Sequence, residues 1–318
     1  MPRPTLAELE RLCQKPDHRR LGNWMARRVS RPAALRVTWI VSPWGVSANA
    51  ATLAAWAAGV AAAVSLGWGS VGGWLLAAGL LQVWYLLDHV DGQLARLRGT
   101  ASLDGVQLDY LMHHTVNLLV PMGAGWGAMA ATAEPLWLVA GVAWGVATLL
   151  LCLHHDARYK AHMQRLKRLR GHLHVVGGGG ATPQPQPPVP RNLPRLVAWV
   201  ARKACEMHVV LNVVTLLAVA MGLVGDGSLL LARTYVAGMT LMAPTVAMWE
   251  IGRSQRRGAV EQEFALWYRV PPGQELGFSD GWWEVRPSPQ PAGGFKQQQG
   301  AADGGDVVNA KNLNPPPG

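Results

Sequence analysis

Runs of about 20 predominantly apolar residues follow one another along this chain, and they restrict its fold more than any other feature. Hydrocarbon offers no water to a backbone, so each run must close its own hydrogen bonds, as a helix does. The pattern places spans at about Ala48–Leu66, Gly72–Arg96, Leu103–Ala131, Leu136–Leu153, Met207–Leu223 and Leu229–Met248. The expected fold is all-α: a polytopic membrane protein with six transmembrane helices. Composition agrees, because only 15% of the residues are charged, against roughly 25% in a soluble domain.

Residues 1–36 read as a cytoplasmic basic arm. Between Pro16 and Arg36, six arginines are interleaved with Leu21, Trp24, Met25 and Val29 at roughly helical spacing. This predicts an interfacial amphipathic helix, with a solvated arm as the alternative. The membrane domain is expected over 37–252. It is interrupted at 175–192 by a Gly/Pro-rich cytoplasmic linker that follows a polar extension of the fourth span. Leu193–Lys203 reads as a second amphipathic approach to the membrane. Residues 253–318 are expected to form a polar, largely disordered cytoplasmic tail.

The N-terminal segment lacks an apolar core and does not read as a cleavable signal peptide. Cys13, Cys152 and Cys205 have no metal or redox spacing and read as packing residues. Lys and Arg concentrate in the arm, the turn between the second and third spans, the linker and the tail; the opposite connections have none. That asymmetry puts both termini in the cytoplasm. It also accounts for the net charge of +10 through orientation and anionic membrane lipids, with no nucleic acid as partner.

One segment breaks the apolar pattern. Asp88, Asp91 and Asp109 lie in DHVDGQLARLRGTASLDGVQLDYLMH, from Asp88 to His113. Acids beside hydrocarbon are costly and point to function. Asp88 and Asp91 are three apart, and Asp109 and His113 four apart, so each pair shares a helix face. If the turn between Leu97 and Asp104 folds one helix back on the other, four ligand-type side chains converge. Such an oxygen-rich group suits Mg²⁺ or Mn²⁺. Gly92, Ala95 and Gly105 are small and would open a groove, either for a ligand or for helix packing.

The same run resembles the CDP-alcohol phosphatidyltransferase signature, D-x-x-D-G-x-x-A-R, eight residues, G-x-x-x-D-x-x-x-D. Asp88, Asp91, Gly92, Ala95, Arg96, Gly105 and Asp109 match it, and His113 stands where the family has its last aspartate. The resemblance implies the six-helix plan and a homodimer, and the expected location is a bacterial inner membrane. It implies transfer of a phosphatidyl or related phospho-alcohol group, in phospholipid biosynthesis, from a CDP-alcohol such as CDP-diacylglycerol to a hydroxyl acceptor alcohol, releasing CMP. It also implies a two-ion site for Mg²⁺ or Mn²⁺ on Asp88, Asp91, Asp109 and the residue at 113. Gly92, Ala95, Arg96 and Gly105 would line the nucleotide, and the Asn49 and Thr52 region loosely resembles the family's first-helix segment near it.

His113 leaves three readings open. It can be the general base, whose unperturbed pKa near 6.5 suits neutral pH; it can be bypassed by another base; or it can mark loss of catalysis on a retained binding fold. A cation transporter is a further alternative, opposed by the clustering of the acids at one membrane edge. His89 and His114 fall off the shared faces and read as packing residues. At the end of the fourth span, His154, His155, Asp156, Arg158 and Lys160 either flank the membrane or meet a phosphate-bearing acceptor.

Overall fold

A computed structural model describes residues 5–15, 18–20, 22–176, 189–225, 227 and 229–288. Leu21, most of the expected linker, and the expected tail beyond 288 lie outside the described residues. Among the described residues, four helices are long and apolar enough to cross a membrane: α3 (Ala48–Leu66), α4 (Val71–Leu97), α6 (Leu136–Lys167) and α8 (Met207–Val224). They mark an integral membrane protein.

The other two runs expected as spans form α5 (Leu103–Thr132) and α9 (Leu230–Arg256). Their length suffices for a crossing, but their composition falls short of the other four. Histidines, Asn117 and several glycines dilute α5, while Arg233, threonines and a polar last turn dilute α9. On length and apolarity together, four of the six expected spans are shown.

Each turn on the α3–α4–α5 path ends in a serine cap. Ser47, Ser70 and Ser102 accept hydrogen bonds from the backbone N–H of Ala50, Gly73 and Gly105, satisfying donors that would otherwise be orphaned at the helix start. Gly99, at φ 63°, supplies the left-handed residue that reverses the chain after α4. The long helices close a ring: α4 packs on α3, α3 on α5, α5 on α6, α6 on α9, α9 on α8, and α8 on α4. Trp74, Trp84 and Trp144 fill its interior.

Glycine permits the tightest approaches in the ring. A Cβ at Gly123 or Gly127 of α5 would collide with the backbone of Ala63 or Leu66 of α3. Gly125 and Gly141 face each other across α5 and α6. Close backbone packing of this kind is how helices associate in lipid, where apolar surface gains nothing by leaving the solvent.

The N-terminal arm differs from its expectation. α1 (Leu6–Cys13) is followed by a wide helical turn at Ala26–Ser30 that runs into α2 (Arg31–Val41). The inward face is the small set Ala26, Ser30, Ala34 and Thr38, each one turn apart, whereas Trp24 and Val29 are exposed and Met25 packs on the core. Buried polar contacts hold the arm on α4: Thr38 donates to Gln93 Oε1 at 2.9 Å, and Gln93 donates to the Arg31 carbonyl at 3.3 Å.

At the outer end of the arm, Glu10 accepts from Arg19 at 2.8 Å and pairs with His18 at 2.9 Å. The Arg19 bond, then the His18 bond, holds its carboxyl below the usual carboxylate range. The folded group therefore releases its proton at lower pH than the unfolded chain does. This pairing stabilises the arm above the ordinary carboxylate pKa and is lost as pH falls through the depressed value. Proteolytic nicking of the arm should rise on acidification, and Glu10→Gln should remove that dependence.

Residues 253–288, the first part of the expected polar tail and almost all of it before the Pro/Gly/Gln-rich stretch, carry secondary structure. α9 reaches Arg256, α10 spans Ala259–Trp267, and β4 (Gln274–Ser279) pairs antiparallel with β5 (Trp282–Pro287). Short strands tie this unit to the segment after α6. β1 (Leu169–Arg170) pairs parallel with β5, and β2 (His174–Val175) antiparallel with β3 (Tyr268–Arg269). Aromatic residues make the difference: His162 and Arg165 on the end of α6 pack on Phe264, and Arg165 also lies over Trp283 at 4.0 Å.

Candidate active site

Asp88 and Asp91 lie in the C-terminal half of α4, and Asp109 and His113 in the N-terminal half of α5. The Gly99 turn brings the two helix ends side by side. His113 Nε2 lies 2.8 Å from Asp88 Oδ1 and 3.4 Å from Asp109 Oδ1. Donor atoms of Asp88, Asp109 and His113 all lie within 4.8 Å of one another. Two carboxylates and an imidazole converging this closely match what a divalent first-row cation or Mg²⁺ takes from a protein, with the imidazole favouring Mn²⁺ over Mg²⁺. Three of the four expected metal residues, Asp88, Asp109 and His113, thus form a group that could hold a divalent ion.

Asp91 stands apart from that set. It is only 7% exposed, and its Oδ2 accepts from Thr52 Oγ1 at 2.7 Å. The same hydroxyl lies 3.2 Å from the Ala48 carbonyl on α3, and its one hydrogen goes to the nearer carboxylate. Removing that donor leaves a buried carboxylate undersatisfied, at a cost of about 1–3 kcal/mol. Thr52→Val should lower the thermal stability of the purified protein accordingly, while Thr52→Ser should not.

Asp88, Asp91, Asp109 and His113 line a cavity of about 280 Å³ together with His89, Gly92 and Arg96. Ala95 and Gly105, expected to line the nucleotide, are not part of its wall. Gly105 instead sits beside Asn49 at the start of α3, where a Cβ would meet the amide oxygen at 3.5 Å. Gly92 makes room for Arg96, whose guanidinium would lie 3.3 Å from a Cβ there. Arg96 Nε donates to the carbonyl of Cys13, so the end of α1 holds this arginine over the cavity.

The cavity wall also includes Gln14, Lys15 and Arg31 of the arm. Nothing local in the sequence tied these to the acids, because the contact depends on how the arm docks. His89 was set aside as off-face, yet its Nδ1 lies 3.4 Å from Asp88 Oδ2 and 2.9 Å from the Tyr85 carbonyl. Its adjacency to Asp88 was the available signal. His114 pairs with Asp156 at 3.0 Å and joins α5 to α6.

A second cavity, of about 820 Å³, lies at the same end of the ring. His113 lines both. Of the expected acceptor residues, His154, His155, Asp156 and Arg158 line the larger one and Lys160 does not. Cys205 lies in its wall, and burial pushes its thiol up to about 11, consistent with an inert packing residue.

No curated protein matches the chain. Residues 45–178, which hold α3 to α6 and every residue of the compact donor set, match the family model described as CDP-alcohol phosphatidyltransferase.

Proposed function

We propose that the protein is an integral-membrane transferase. It moves a phosphatidyl or similar phospho-alcohol group from a CDP-alcohol, such as CDP-diacylglycerol, to a hydroxyl acceptor, and releases CMP. The observation that carries this reading is the convergence of Asp88, Asp109 and His113 in a cavity whose wall includes Gly92 and Arg96. Those residues sit at the signature positions of the matched family, apart from His113. A divalent cation held by the carboxylates of Asp88 and Asp109 would offset the diphosphate charge and stabilise the leaving CMP, which leaves the His113 imidazole free to act as a base. Arg96, Lys15 and Arg31 supply further positive charge for the nucleotide phosphates.

The acceptor hydroxyl oxygen bonds to the phosphorus that carries the lipid alcohol. The bond from that phosphorus to the CMP oxygen breaks, and CMP leaves with the electron pair. The hydroxyl proton needs a base at the junction of the two cavities, and His113 is the residue they share. We infer that α5 and α9 also lie in the membrane, since they complete the ring with the four apolar helices. The Lys and Arg around the site support a position at the cytoplasmic edge, where a soluble nucleotide would meet a lipid tail.

Purified protein given CDP-diacylglycerol, a panel of alcohols and Mg²⁺ or Mn²⁺ should release CMP, and chelation should stop it. Absence of CMP with every alcohol in both ions would overturn the transferase reading. If His113 is the base, His113→Ala should slow release by about 10²- to 10⁴-fold with little change in CDP binding. His113→Asp should keep or raise the rate. Equal rates for wild type and the alanine variant would discard that role.

One observation favours a second reading, a non-catalytic binding protein on the same scaffold. His113 Nε2 bridges both carboxylates directly, so they have a partner even without a cation. Under that reading the nucleotide lipid binds and no CMP appears.

A further inference from the structure

We propose that the 820 Å³ cavity is the acceptor site and takes a small alcohol bearing a phosphate or comparable anionic group. This rests on the transferase reading above and names its second substrate by class. Five cationic side chains line the cavity, but two of them are already neutralised. Arg158 donates twice to Glu263 Oε2, at 2.9 and 2.5 Å, and Lys203 reaches Glu206 at 2.8 Å. Arg202, Arg253 and Arg257 form no ion pair among the described residues, and the acids of the wall left to oppose them are Glu250 and Asp156, the latter paired only with His114.

The placement of these three arginines is not that of a basic membrane flank. Arg202 comes from the last turn of α7 (Leu193–Ala204), and Arg253 and Arg257 from the end of α9, one helical turn apart. Arg256, next in sequence to Arg257, does not line the cavity. Elements roughly fifty residues apart thus direct guanidinium groups into one volume. A guanidinium fork matches phosphate oxygens, and a neutral alcohol has no use for the surplus charge. With the anionic end held there, the hydroxyl of a short alcohol can approach His113 at the wall shared with the smaller cavity.

The test separates this proposal from the transferase reading. Titration calorimetry of the full-length protein in detergent, with inorganic phosphate as probe, should show binding that weakens about 10-fold or more in Arg202→Gln and in Arg257→Gln. In the CMP-release assay, glycerol monophosphate should be used at least about 10-fold more efficiently than glycerol. The same variants should raise KM for the monophosphate with kcat and CDP affinity little changed. Phosphate binding that depends on these arginines, with no CMP from any alcohol, keeps the anion site and removes the transferase reading. CMP release from neutral alcohols, with no phosphate binding and no effect of either substitution, overturns the anionic acceptor and keeps the transferase. Full-strength phosphate binding in both variants also overturns it.

Discussion

Asp88→Asn should reduce CMP release by about 10³-fold, equivalent to about 4 kcal/mol of transition-state stabilisation. Asp88 is the centre of the donor group. One of its oxygens faces His113 at 2.8 Å and the other faces His89 at 3.4 Å. The amide keeps the shape but removes the charge, and it places a donor where an acceptor is required. The loss should appear in kcat at saturating CDP-diacylglycerol, together with weaker Mn²⁺ binding measured directly. Circular dichroism and gel-filtration profiles should match wild type, since the amide keeps the shape of the side chain. A variant that keeps more than roughly a tenth of the rate would remove this carboxylate from the chemistry.

Gly127→Ala should destabilise the protein by about 1–3 kcal/mol, the range for forcing one methyl into a closed contact. The new Cβ would run into the Leu66 carbonyl, which belongs to backbone and cannot rotate away. To relieve the clash, α5 must move off α3. The same helix carries Asp109 and His113, so activity should fall along with the unfolding temperature in detergent. Gly79 of α4 provides the control: no atom lies within 4 Å of a Cβ there. Gly79→Ala should be neutral or stabilising, by up to about 1 kcal/mol from helix propensity alone. Equal melting temperatures for wild type and Gly127→Ala would show that this contact does not set the helix spacing.

The comparison of expectation and structure follows the range over which each residue is determined. Asp88, Asp109 and His113 were legible because they depend on helical spacing within two adjacent helices and on one short turn. The same local reasoning put Asp91 with them; it lines the same cavity, but its Oδ2 bonds Thr52, 39 residues away on α3, a contact that no local pattern announces. Ala95 and Gly105 matched a spacing, but the cavity wall is decided by which helix faces which neighbour. Lys15, Arg31 and the Cys13 carbonyl reach the site only because small residues let the arm lie flat on α4.

Apolar run length, serine and glycine at the turns, and i to i+4 spacing are local properties, so the sequence alone determined the helices, the first helix–turn–helix and the acid cluster within it. Ring closure, the second cavity and its three unpaired arginines depend on packing between segments separated by up to about two hundred residues. No local pattern encodes that packing, because the energy of a close glycine contact or a shared cavity exists only once both partners are in place.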